Sequence, residues 1–282
     1  MKILHFLYDH VKNPWVGGGG AIRLRELYTR LAARGHHITV ITGKYPGALD
    51  YSEGTLEFRF VGSDSNNYVL STLAYANKAI GLIRAMRREV DVIIEDFAPW
   101  NPLFAHKINS PPVVMQIQNF LGTEILRKYN VLGLPFWLIE RYYPKRLKHH
   151  VLMVDALARR FDLKGTQAVV SNGIDSGLLE LAPEDGGYFL YMGRLDLHQK
   201  GLDVLARAIA STDARFIIAG DGKQAEKNRL AQMLASHDNA LLAGFASGPD
   251  KDDLLRRSLA MVLPSRYEGQ GIVLLEGAAC GK

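Results

Sequence analysis

Apolar residues follow two periodicities along the chain, and these alternate. Short, nearly continuous apolar blocks run from Ile3 to Tyr8, Ile38 to Ile41, Asp91 to Ile94 and Val113 to Ile117. Between the first two, Leu24, Leu27, Tyr28 and Leu31 recur at i, i+3, i+4 and i+7, the spacing of an amphipathic helix, and Gly35 supplies its stop. Unbroken apolar strands separated by helices predict a parallel sheet covered on both faces.

The same alternation restarts at Tyr188 to Met192, continues with a helix built on Leu202, Leu205, Ala206 and Ile209, and adds strands at Phe216 to Ala219 and Ala260 to Leu263. Before it lie Val169-Val170, the turn Ser171-Asn172-Gly173-Ile174-Asp175 and a linker-like run from Leu181 to Gly187. The expected class is therefore α/β, with two doubly wound parallel-sheet, Rossmann-like domains over residues 1–183 and 184–282 and a ligand cleft at the carboxyl ends of their strands. A length of 282 residues suits two domains at roughly 150 residues each.

Composition narrows the class. With 48% hydrophobic, 9% aromatic and 22% charged residues the chain is globular, neither disordered nor fibrous. Its one cysteine, Cys280, excludes an internal disulfide framework and a cysteine-built zinc site. The opening apolar run turns polar at Asp9-His10, too soon for a signal peptide, and Val131 to Ile139 is far short of the ~20 residues that span a bilayer. A cytoplasmic protein is expected.

The net charge of +5 is uneven: 22 basic and 16 acidic residues stand before Pro183, and 12 against 13 after it. The excess collects at Arg84 to Arg88 and from Arg141 to His150, where Arg141, Lys145, Arg146 and Lys148 sit beside Trp137, Leu138, Tyr142 and Tyr143. That mixture suits peripheral contact with an anionic membrane, at its inner face, and suits a solvated helix with snorkelling side chains equally well. Nucleic acid is not expected, since no binding motif accompanies the charge.

The candidate chemistry lies between strands and helices. Gly17, Gly18, Gly19 and Gly20 follow the first strand, where helix amides approach an anion closely; four glycines also make a plain connector, and they lack the dinucleotide-fingerprint spacing. Gly193-Arg194 follows the first strand of the second domain and Lys200-Gly201 opens its first helix, so a guanidinium and an ammonium flank one strand end, suited to holding a diphosphate. Near the end, Glu268 precedes Gly269, Gln270, Gly271 and Ile272, with Glu276 eight residues after Glu268. Two carboxylates can grip vicinal hydroxyls with loop amides between them; equally, Glu268 caps the following helix and Glu276 is solvated. None of the nine histidines has metal-ligand spacing, so no metal or cofactor is expected.

Taken in order, Gly17 to Gly20, Arg34-Gly35-His36-His37-Ile38-Thr39-Val40, Asn172-Gly173-Ile174-Asp175, Gly193-Arg194 with Lys200-Gly201, Gly220-Asp221-Gly222 and the Glu268/Glu276 pair resemble the retaining glycosyltransferases of family four, which have the GT-B fold. The resemblance implies that Arg194 and Lys200 bind the donor diphosphate, Glu268 the transferred sugar and Glu276 the ribose. It places Gly244-Phe245 by the base and the Gly17–Gly20 loop over donor phosphate and acceptor. Many relatives carry a histidine where this chain has Gln118, in Gln116-Ile117-Gln118-Asn119; an amide there can position a sugar, with Asn119, but carries no charge.

The implied reaction moves a sugar, with retention, from a nucleotide-diphosphate donor to a hydroxyl of a glycan or lipid-linked acceptor, as in polysaccharide or glycolipid assembly. No glycosidase-like carboxylate pair is present, so a donor-phosphate oxygen is the expected proton acceptor. A nucleotide-sugar epimerase or sugar phosphorylase of related fold is the alternative, as is a non-catalytic nucleotide-sugar binder. Relatives continue past Lys282 with further strands, so the 99 residues after Pro183 are expected to be an incomplete, truncated second domain.

Overall fold

A computed structural model of the chain describes residues 1–15 and 18–282. The chain divides into two units, Met1–Ser171 and Asn172–Lys282.

In the first unit the strands are β1 (Lys2–Phe6), β2 (His37–Gly43), β3 (Tyr51–Glu53), β4 (Leu56–Val61), β5 (Val92–Asp96), β6 (Val113–Ile117), β7 (His149–Leu152) and β8 (Thr166–Val169). They form one sheet in the order β3-β4-β2-β1-β5-β6-β7-β8, parallel throughout except for the β3–β4 hairpin. The helices are α1 (Gly19–Ala33), α2 (Tyr68–Met86), α3 (Glu124–Tyr129), α4 (Leu134–Tyr142) and α5 (Ala156–Phe161).

Strand alternation sends Leu4 and Phe6 to one face, where they meet Ile93, Met115 and the Tyr75, Ala79 and Ile83 stripe of α2. Ile3 points to the other face with Ile38 and Val40, covered by Leu24 and Tyr28 of α1. Both faces are buried, which is why these strands read as unbroken apolar runs. Asn67 starts α2, its Oδ1 accepting from the backbone N–H groups of Val69 and Leu70.

The second unit holds β9 (Tyr188–Met192), α6 (Leu202–Ile209), β10 (Arg215–Ala219), α7 (Gln224–Leu234), β11 (Ala240–Gly244), α8 (Gly248–Arg257), β12 (Ala260–Met261) and α9 (Ile272–Ala279). Its sheet runs β11-β10-β9-β12 with every pair parallel. Leu202, Leu205, Ala206 and Ile209 are buried on Tyr191, Phe216 and Ile218, as their spacing predicts.

Two expectations shift. The division falls ahead of Pro183, because Leu178 is buried among Tyr188, Leu190 and Cys280 and its carbonyl accepts from the Cys280 thiol. The glycine run is not wholly a loop: Gly18 caps α1, Gly19 and Gly20 form its first turn, and Gly17 lies outside the described residues. Among the described residues no helix is long and apolar enough to cross a membrane.

Candidate functional site: the carboxyl edges of the two sheets

In each unit the strand order reverses once, between β9 and β12 in the second and between β1 and β5 in the first. At such a reversal neighbouring strands send their connections to opposite faces, leaving a crevice outside their carboxyl ends.

In the second unit glycines shape that edge. Gly193 follows β9 with φ +151°, and its N–H donates to the Ala219 carbonyl at 3.0 Å. A Cβ on Gly220 would lie 1.8 Å from the Gly193 oxygen, and one on Gly222 2.4 Å from that of Leu195, so side chains at either position would force the loops after β9 and β10 apart. On the other side, Gly201 at φ +66° would place a Cβ 2.0 Å from the Pro264 oxygen. Arg266 closes the seam: its backbone N–H donates to the Gln199 carbonyl, and its guanidinium forks onto Asp203 through two 2.7 Å bonds. The Arg266 bonds hold the Asp203 carboxyl below its ordinary range.

On this frame the loops after β9 and β12 bring together Gly193, Arg194, Lys200, Glu268 and the Gly269-Gln270-Gly271-Ile272 entry into α9. The Lys200 ammonium is bonded to Glu268 Oε2, and the Ser265 hydroxyl donates to the same oxygen at 3.3 Å. Lys200 and Glu268 side chains are 14% and 30% exposed, so both still reach solvent. Arg194 is exposed, its guanidinium donating to Gln199 Oε1 at 3.2 Å, while the Tyr191 hydroxyl fixes its carbonyl at 2.7 Å. A guanidinium, an ammonium and a carboxylate therefore stand on the glycine-rich loops that leave this strand-order reversal, a set suited to an anionic group linked to a polyol.

Two of the expected contact residues already hold partners within the chain. Glu276 projects from α9 and accepts from the Lys251 ammonium of α8 at 2.8 Å. Gln270 Oε1 accepts from the Asn172 N–H at 2.7 Å, so its side chain braces the chain entering this unit. Gly244, at φ +74°, and the 76% exposed Phe245 end β11 on the same edge, beyond β10.

In the first unit the corresponding edge carries a buried polar cluster. Gln118 and Asn119 follow β6; Asn119 Oδ1 accepts from the Phe120 N–H, and the Gln118 amide donates to Asp96 Oδ2 at 2.7 Å. Gln116 donates to the same oxygen at 2.6 Å, and His5 Nε2 stands 3.7 Å away. His5 Nδ1 is hydrogen-bonded to the Tyr28 hydroxyl. The Gln118 amide lies flat on α1: a Cβ at Gly20 would meet its Oε1 at 2.7 Å and Nε2 at 2.8 Å. Arg23, on the same helix, is buried and donates to the Val170 and Ser171 carbonyls, and burial lowers its pKa. Glu140 of α4 accepts from the Leu121 and Gly122 N–H groups, fixing the loop beyond Asn119; burial raises its carboxyl pKa.

Sequence reading passed over Asp96 and Arg23, took Tyr28 only as part of the apolar stripe of α1, and gave His5 no catalytic role. A signal for the first existed: β5 is an apolar run ending in Glu95-Asp96, two carboxylates at the carboxyl end of a central strand.

These two Rossmann-like units, with their glycine-bound loops and strand-end cations, define the GT-B class of transferase enzymes. Residues 17–178 match the model of Glycosyltransferase Family 4, and residues 180–282 match that of Glycosyl transferases group 1. The chain belongs to Glycosyltransferase Family 4. It is 26% identical to the D-rhamnosyltransferase WbpZ of Pseudomonas aeruginosa over 309 aligned positions, 100% of this chain and 76% of that protein. It is 35% identical to the uncharacterized glycosyltransferase MJ1178 of Methanocaldococcus jannaschii over 123 positions, 43% of this chain and only 34% of that one. Among solved structures, sucrose-phosphate synthase of Thermosynechococcus elongatus superposes with a TM-score of 0.77 at 18% identity, covering 100% of this chain and 79% of that one. Anabaena HepE in complex with UDP-glucose gives 0.66 at 19%, with the same coverages.

Proposed function

We propose that the chain transfers a sugar from a nucleotide-diphosphate donor to a hydroxyl of a glycan or lipid-linked acceptor, with retention, in polysaccharide or glycolipid assembly. The observation that carries this is the gathering of Arg194, Lys200 and Glu268 at the β9/β12 reversal, beside the glycine-rich entry to α9. HepE, a structure of the same fold, was solved with UDP-glucose bound, and WbpZ is named as a sugar transferase.

In this proposal the departing diphosphate gathers negative charge as the glycosidic bond breaks. Arg194, Lys200 and the backbone amides leading into α9 are placed to stabilise it, with no resident metal required. Glu268 accepts from hydroxyls of the transferred sugar. The acceptor proton passes to an oxygen of the leaving diphosphate, since Glu268 is already bonded to Lys200. In the first unit the Gln118 amide, held by Asp96, is a polar group suited to a sugar or acceptor hydroxyl.

A screen of nucleotide sugars, scored by release of nucleoside diphosphate with and without added acceptor, tests the function. Product anomeric configuration read by proton NMR tests retention, and chelator treatment tests the metal. Consumption of donor without acceptor, with isomerised sugar recovered, would establish an epimerase instead.

A further inference from the structure

We propose that the surface formed by residues 129–145 of the first unit, together with Arg160, docks on an anionic lipid bilayer. The segment joins α3 to α4 and opens with Val131 and Leu132, each 82% exposed, an unusual cost for adjacent aliphatic side chains in water. Leu134, Leu138 and Tyr142 carry the apolar surface along α4 at i, i+4 and i+8, and all three are exposed.

The neighbouring stripe of the same helix is aromatic and cationic. Trp137 lies 5.5 Å below the Arg141 guanidinium, and both line a cavity of about 230 Å³ with Lys145 and Arg160. The cavity's two carboxylates are already engaged: Glu140 accepts two backbone N–H groups, and Asp162 pairs with Lys145 at 3.0 Å. Among the described residues no carboxylate pairs with Arg141 or Arg160.

Charge decides the occupant. Two copies meeting through this face would bring the cations of one against those of the other, and a neutral partner would leave them unused. A bilayer with anionic headgroups accepts the aliphatic tip at the acyl boundary, Trp137 at the interface and the guanidinium groups among phosphates. Contact of this kind is interfacial, in keeping with the absence of any spanning helix among the described residues.

The test is co-sedimentation of the full chain with vesicles of equal parts phosphatidylglycerol and phosphatidylcholine, against phosphatidylcholine alone. Binding is expected only to the anionic vesicles, weakened at about 1 M salt, where the Debye length is ~3 Å. Val131→Ser with Leu132→Ser, and separately Arg141→Ser with Arg160→Ser, are expected to weaken it about tenfold or more, with unchanged far-UV circular dichroism. Brominated lipid should quench fluorescence that Trp137→Phe removes. Equal binding to neutral vesicles, no binding at all, or wild-type binding by the Val131/Leu132 variant would each overturn the proposal. So would a dimer, seen by sedimentation velocity, that the same variant dissolves without any vesicle binding by the wild type. Vesicle binding needs no donor, so failure here is distinct from failure of sugar transfer.

Discussion

The Lys200 ammonium is bonded to the Glu268 carboxylate across the reversal between β9 and β12. The pair is partly solvated, so its net worth to folding is small, about 1 kcal/mol or less. Its consequence is for binding, since a diphosphate that takes Lys200 must compete with Glu268. Glu268→Gln is therefore expected to bind a nucleoside diphosphate (UDP and GDP as probes) at least as tightly as the wild type while losing transfer. Lys200→Met is expected to lose both, with turnover down ~10²-fold. Titration calorimetry beside turnover checks the split; weaker nucleotide binding by Glu268→Gln would contradict it.

Gly201 joins the same two loops through backbone. At φ +66° a side chain costs about 1–2 kcal/mol in backbone strain alone. Here a Cβ would also stand 2.0 Å from the Pro264 oxygen, which belongs to a loop with no side-chain end to swing away. Gly201→Ala is expected to destabilise the second unit by more than that strain and to displace Glu268 from Lys200. Hydrogen exchange should show lost protection in the loops after β9 and β12, with transfer falling even where the unit remains folded. Wild-type protection would show that the loop yields freely.

How far the sequence revealed this architecture follows from the range of each interaction. Apolar runs such as Tyr188–Met192 and the stripe on Leu202, Leu205, Ala206 and Ile209 are local signals, and the elements lie where those signals put them. Gly193, Arg194 and Lys200 were legible for the same reason, being placed by the strand they follow. The β3–β4 hairpin was not, because three-residue Tyr51–Glu53 is too short for a period-two pattern. Nor was the break at Asn172 legible, since what ties Leu178 to the second unit is Cys280, far along the chain. Asp96 was missed because its partners, Gln116 and Gln118, arrive from the neighbouring strand.

Two buried groups of the first unit give opposite pH dependences. His10 bonds Tyr45 through Nδ1 and Tyr51 through Nε2, and burial, with Lys12 and Arg25 nearby, lowers its pKa from 6.5 to about 4. The unfolded chain then binds the proton more readily, so the stability from neutral His10 is complete above 6.5 and is lost as pH falls towards 4. Glu95 is raised from 4.5 to about 7 by burial, although the Tyr143 hydroxyl and the Leu103 N–H donate to it. Its contribution is present below 4.5 and is lost as pH rises to 7. Each is worth up to about 3 kcal/mol, and between 4.5 and 6.5 they offset one another. Glu95→Gln is expected to lose stability steeply on acidification from about pH 7 to 5, and His10→Gln to gain it. Urea midpoints at the two pH values check both signs.

Gly20 and Gln118 offer a way to disturb the first-unit edge without harming its core. Alanine is the better helix former by about 1 kcal/mol, so Gly20→Ala should leave the thermal midpoint of the first unit unchanged or slightly raised. Its methyl would, however, occupy the space of the Gln118 amide, less than 3 Å from both Oε1 and Nε2. That amide is the end of a flexible side chain, so it gives way and loses its bond to Asp96. Transfer is expected to fall ~10-fold, the scale of a displaced positioning contact. Gln118→Ala should show a similar loss, and the double variant should be no worse than Gln118→Ala, because both substitutions remove the same contact. Additive losses in the double variant would mean that Gly20 acts on transfer by a route other than Gln118.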